Sequence, residues 1–224
     1  MVKKIALVAL VLAGLFVLSS CASLDVVGTE SVNSFEKMLG ATTSLTSKDD
    51  MNGGWSLTAP DGSVRFIWSW DYSKSPIHDV MLELDATPFV NAGLDVNKLP
   101  AGMAYDNMLM VGTKLGTQAI TYSGEATPLA SFKKLVELKR DAVGYHAALD
   151  HYGVDLGDGN AFEWAKNMST NDKDIVFVLD PKMLMEAGAD PTKVEGWVFA
   201  KVSTMDKDNK PIEVDKFLKP FSIQ

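Results

Sequence analysis

A pattern of residues recurs in this chain about 95 positions after its first appearance, and no other feature constrains the fold as much. Ser34-Phe35-Glu36-Lys37 returns as Ser131-Phe132-Lys133-Lys134 at an offset of 97, and Asp61-Gly62 returns as Asp158-Gly159 at the same offset. Phe66-Ile67-Trp68 returns as Phe162-Glu163-Trp164 at 96. Asp79 to Leu99 then aligns without a gap on Asp174 to Val194 at 95, with identical pairs such as Leu84/Leu179, Asp85/Asp180, Gly93/Gly188 and Asp95/Asp190. Four windows in one order, with an offset drifting by two, predict that one supersecondary unit is built twice.

Each copy reads as the same succession of elements. An amphipathic helix opens it, at Val32–Leu39 and, longer, at Leu129–Ala148. Thr127-Pro128 is a start signal for the second helix. A hairpin turning at Asp-Gly follows, with Val64, Phe66, Trp68 and Trp70 alternating on one strand face. A third strand, Asp79–Leu84 or Asp174–Leu179, leads into a short helix that ends at Gly93 or Gly188. Two closing strands are expected at Met108–Leu115 with Gln118–Tyr122, and at Trp197–Thr204 with Ile212–Val214. The order α-β-β-β-α-β-β predicts an α+β fold of mainly antiparallel sheet, each helix covering one sheet face. Copy 1 is expected over 31–122 and copy 2 over 123–224, packed as one pseudo-symmetric body. Two segments look unmatched: Ala41–Gly54, where the second copy reads as continued helix, and Pro100–Asn107 before the fourth strand of copy 1. Loops carry function more often than the elements they join.

The N-terminus has a different character. Lys3-Lys4 precede an apolar run from Ile5 to Leu18, too short to span a bilayer, where about 20 residues are needed. Leu18-Ser19-Ser20-Cys21 follows, and Cys21 is the only cysteine in the chain. This segment resembles the export signal of bacterial lipoproteins, with a lipobox ending in the modified cysteine. The resemblance implies that residues 1–20 are removed, that Cys21 carries acyl chains, and that 21–30 form a lipidated tether. It also implies a site of action in the cell envelope, anchored and facing the periplasm or exterior. Ala22, where some bacteria place Asp to retain a lipoprotein at the inner membrane, leans towards the outer membrane.

Charge agrees with lipid as the means of attachment. The chain carries 21 Lys and Arg against 29 Asp and Glu, and loss of two leader lysines takes the net charge from −8 to −10. Such a body does not suit nucleic acid, which favours basic stripes, or electrostatic docking on anionic lipid. No internal disulfide can form, and a lipidated Cys21 leaves no cysteine nucleophile.

Several groups of residues have the composition for chemistry. Asp85 and Asp180 stand at strand ends before short helices and read as carboxylates bonded to free backbone N–H groups. Asp95 and Asp190 read as turn residues. His146 and Asp150, four apart on the expected helix, share a face but are too few to close a metal site. Asp206-Lys207-Asp208-Asn209 lacks the glycine and glutamate of a calcium loop and reads as a hairpin turn. Phe66 and Trp68 repeat as Phe162 and Trp164 and read as core. Met108, Met110, Met183 and Met185 read as core filling. Trp70, whose approximate counterpart is Lys166, is the tryptophan expected to face a ligand or partner. Met103 and Tyr105, in the segment unique to copy 1, are expected in the same role.

No G-x-S-x-G elbow, H-E-x-x-H helix motif or phosphate loop occurs in the chain. The expectation is therefore a lipid-anchored, non-enzymatic binding or interaction module, without metal or cofactor. Its partner would be an envelope protein or a small molecule held between the halves. Two other classes are an envelope hydrolase with an atypical site, marked by a deep pocket of convergent ionisable groups, and a structural assembly lipoprotein, marked by a bare apolar patch or sheet edge.

Overall fold

A computed structural model describes residues 21–70, 78–114, 126–147, 149–168, 174–205, 208 and 210–223. The chain opens with helix α1 (Cys21–Ala41) and strands β1 (Thr46–Asp49), β2 (Gly54–Thr58), β3 (Val64–Ser69) and β4 (Val80–Asp85). Helix α2 (Thr87–Asn91), β5 (Ala104–Tyr105) and β6 (Met108–Thr113) complete the first half. The second half has α3 (Pro128–Leu138), β7 (Val143–His146), β8 (His151–Gly157), β9 (Asn160–Ala165) and β10 (Ile175–Leu179). It closes with α4 (Lys182–Glu186), β11 (Val198–Met205) and β12 (Pro211–Phe221). The fold is α+β, with two antiparallel six-stranded sheets ordered β1-β2-β3-β4-β6-β5 and β7-β8-β9-β10-β12-β11.

Each half thus has the element order α-β-β-β-β-α-β-β, one strand more than the pattern predicts. The extra strand corrects the reading of the second helix. Thr127 Oγ1 accepts from Ala130 N at 3.2 Å and starts α3 as expected, but the helix ends at Leu138, not Ala148. A 3-10 turn at Arg140–Ala142 follows, and β7 then pairs with β8. Val143-Gly144-Tyr145 is poor helix sequence, and its backbone groups find partners in the ladder. β1 occupies the corresponding place in the first half, 97 positions earlier, so Ala41–Gly54 is not an insertion.

Pro100–Asn107 is not unmatched either. Asp106 and Asn107 take φ of 44° and 64°, the left-handed pair of a tight hairpin turn, and join β5 to β6. β5 is the short counterpart of β11, and β6 that of β12. The expected strand Gln118–Tyr122 and the leader 1–20 lie outside the described residues. At the other end, α1 extends back from Val32 through the expected tether to Cys21.

The helices are exchanged between the halves. α1 lies along β7 and β9 of the second sheet, and α3 along β2 and β3 of the first. Phe35 of α1 stacks on Phe132 of α3 with centroids 3.7 Å apart, and both meet Trp164 edge-on. Phe66 stacks on Phe162 across the two sheets at 4.2 Å. Trp68 and Trp164 are fully buried, and their indole N–H groups donate to Pro128 O and Ser34 Oγ of the opposite half. One hydrophobic core therefore serves both sheets.

The short helices meet as well. Asp95 N donates to Ala187 O at 2.9 Å, and Asp190 N donates to Ala92 O at 2.8 Å, a reciprocal pair. Between them, Gly93 and Gly188 take φ of 104° and 108°. A Cβ on either would lie 2.9 Å from the carbonyl oxygen of the other. Conformation and close approach both demand glycine here.

Candidate functional site

The three residues expected to face a ligand are not brought together. Trp70 is half-buried where β3 ends, edge-on to Trp55 of β2 at 6.4 Å, with the Lys48 Nζ of β1 5.0 Å from its ring centroid. Tyr105 is 74% exposed on β5, the opposite edge strand of that sheet. Met103 is buried and packs in the common core. Cys21 is the first residue of α1.

The groove that joins the two halves lies elsewhere. Ala59, Pro60 and Asp61, from the β2–β3 turn, form one wall. Gly196, Trp197, Val198, Lys219, Pro220 and Phe221, from β11 and β12, form the other. The groove is open, with a volume of about 510 Å³. Lys219 Nζ bridges its walls: it pairs with Asp61 Oδ2 at 2.7 Å, donates to Gly196 O at 3.2 Å and stands 5.8 Å from the Trp197 ring centroid. Burial would raise the Asp61 pKa, but the Lys219 ammonium and the Ser63 hydroxyl and N–H hold it below the ordinary carboxylate range. The lining is thus one mutually neutralised ion pair in an apolar setting of Trp197, Val198, Pro60, Pro220 and Phe221. Such a surface suits an apolar or aromatic group, with a polar edge to orient it.

A second cluster is buried in the outer layer of the second sheet. His146 and His151 are directly paired across β7 and β8. Glu163 of β9 lies with Oε1 3.0 Å from His146 Nδ1 and Oε2 3.8 Å from His151 Nδ1. All three side chains are at most 12% exposed. Gly153 makes the room, because a Cβ there would stand 3.2 Å from Glu163 Cγ. Burial would raise the Glu163 pKa, yet contact with the two imidazoles holds it down to about 2. For His146, burial works to lower the pKa and the Glu163 carboxylate overcomes it, raising the value. The two histidines face different oxygens of one carboxylate. Among the described residues, no group of three or more His, Cys, Asp or Glu side chains is placed to hold a metal ion.

His146 lies on a strand, which corrects its expected place on a helix face with Asp150. Asp150 sits in the β7–β8 turn with φ of 54° and accepts from Tyr145 Oη at 2.6 Å. Glu163 stands outside the candidate residues of the sequence, though a carboxylate inside the apolar strand Asn160–Ala165 is a visible anomaly. The Asp61–Lys219 pair had no comparable signal, because 158 residues separate its members.

The paired aspartates take structural roles. Asp85 Oδ1 accepts from Thr87 N at 2.8 Å, and Asp180 Oδ1 from Lys182 N at 2.9 Å. Asp180 also pairs with Lys216 Nζ at 2.7 Å. Asp95 and Asp190 accept from Asn97 N and Thr192 N, in the turns expected of them.

No protein-family model, curated protein or solved structure matches this chain. No described helix is long and apolar enough to cross a membrane.

Proposed function

We propose that the protein is a lipid-anchored lipoprotein of the bacterial cell envelope whose paired sheets act as a non-enzymatic binding module. The lipobox Leu18-Ser19-Ser20-Cys21 carries the anchoring half of this reading. The groove between the halves supports the binding half: it is apolar, and its one ion pair is satisfied internally. An enzyme site would call for ionisable groups left to act on a substrate. The occupant would be an apolar or aromatic part of an envelope protein or of a small molecule. The common strand order, the reciprocal backbone bonds at Gly93 and Gly188, and the offset of 95–97 support duplication of an ancestral unit.

The test uses the soluble body, residues 22–224, with and without Val198→Asp. Val198 is 53% exposed, so the added carboxylate alters the groove without entering the core. Both forms are used to capture ligands from envelope extract, with bound proteins and small molecules identified by mass spectrometry. The expected result is at least one species retained by the native body and lost with the charged variant. Identical recoveries from the two forms would refute the groove as the binding site.

A further inference from the structure

The stretch between lipid and body, expected from sequence to be a tether, is helical in the structure. The helix runs unbroken from Cys21 to Ala41. Val27 already packs against the common core. Gly28 lies against Val136 of α3, where a Cβ would make an ordinary close contact at 3.4 Å. Glu30 accepts from Tyr152 Oη at 2.7 Å and from Lys166 Nζ at 3.1 Å, which fixes the helix to the second sheet. Val27 is the first described side chain of α1 on that core, and six residues, Cys21–Val26, precede it in the helix. At 1.5 Å per residue that is about 9 Å of helix.

Resting on the lipoprotein reading of Cys21, we propose that α1 is a rigid stalk that seats one end of the body directly on the lipid headgroups. A body of this size has a radius of gyration of about 17 Å, twice the stalk length, so it has little room to swing. The seated end is defined by the helix packing. The pairs Gly28–Val136 and Phe35–Phe132 run in opposite directions along the two helices, so α1 begins beside the C-terminal end of α3. Leu138 and the 3-10 turn Arg140–Ala142 therefore face the bilayer.

The charges of this end suit that position. The mature chain carries −10, and charges act over a Debye length of about 8 Å at physiological salt. An acidic face seated at that distance would be repelled by anionic lipid. The seated end instead sets Lys139 and Arg140 beside Asp141. Lys139 pairs with Asp141 at 3.1 Å. Leu138, 39% exposed, adds an apolar contact. The partner surface is thus the bilayer that holds the acyl chains.

The experiment uses full-length, acylated protein in vesicles of phosphatidylethanolamine and phosphatidylglycerol. A thioether at Cys21 leaves an introduced cysteine as the single free thiol. Leu138→Cys and Lys37→Cys are each labelled with a fluorophore, and quenching by a nitroxide on the lipid headgroup is read. Lys37 is exposed on α1, ten residues and about 15 Å beyond Val27. The expected result is quenching several-fold stronger at 138 than at 37. Insertion of twelve Gly/Ser residues between Ser23 and Leu24 should bring the two close to equality. Equal quenching in the protein without the insertion, with Cys21 acylated, would overturn the stalk and leave the lipoprotein reading intact. Absence of acyl chains on Cys21 would overturn both.

Discussion

Glu163 concentrates more unbalanced physics than any other described residue. Its carboxylate is buried between two histidines, and removing one member of such a set strands the others in a low-dielectric site. The pH dependence follows from the directions of the shifts. His146 is raised, so its contribution is complete below the ordinary value of 6.5 and is lost as pH rises through the folded value. Glu163 is lowered, so its contribution is complete above 4.5 and is lost as pH falls towards about 2. Between those limits both contributions are present, and thermal unfolding should show a maximum Tm near about pH 5.5. Glu163→Gln should lower stability by on the order of 3 kcal/mol there and flatten the profile above it. A variant with an unchanged profile would show that the cluster does not govern acid–base stability. Gly93 makes a steric demand instead. Gly93→Ala meets a left-handed φ and a carbonyl at 2.9 Å. It should cost about 1–3 kcal/mol in urea unfolding, and an unperturbed midpoint would contradict the reciprocal contact.

At the scale of elements, legibility followed local signal. The Asp-Gly hairpin, the Phe-x-Trp alternation and the glycine-ended short helices were all readable, because each rests on a pattern a few residues long. β1 and β7 were not. Each has four residues, Thr-Ser-Lys-Asp and Val-Gly-Tyr-His, with no alternation to mark a strand, and only the neighbouring strand makes them one. The early turns of α1 lack a local signal for a related reason. Val26, Val27, Gly28 and Thr29 have low helix propensity, and the bonds of Glu30 to Tyr152 and Lys166 come from residues more than 120 positions away. Removing one of those bonds tests the explanation. Tyr152→Phe should speed amide hydrogen exchange over residues 27–31 while leaving β9 and β10 protected. Unchanged exchange in α1 would mean that Lys166 and the packing of Val27 hold the helix without Tyr152.

On the scale of the molecule, the exchange of helices makes the two halves one folding unit. Phe66 and Phe162 lie on β3 and β9 and stack across the sheets with planes 4° apart. Phe66→Ala and Phe162→Ala should each cost about 3–5 kcal/mol. Together they should cost less than the sum by roughly 0.5–1.5 kcal/mol, the coupling of an aromatic pair. Strict additivity in denaturant unfolding would contradict a coupled pair, and two separate unfolding transitions would contradict a single folding unit. Of the candidate sites, the proposed lipidation signal is a pattern a few residues long and is therefore visible in sequence. The groove was not, since its walls come from Ala59–Asp61 and Gly196–Phe221. The central claim remains the anchor. Cells expressing the full-length chain or its Cys21→Ser variant should be grown with an alkyne fatty acid and the purified proteins probed for label. The account predicts label on the native chain, with a mature N-terminus at Cys21, and neither label nor that processing in the variant. An unlabelled native chain, or a labelled variant, would contradict it.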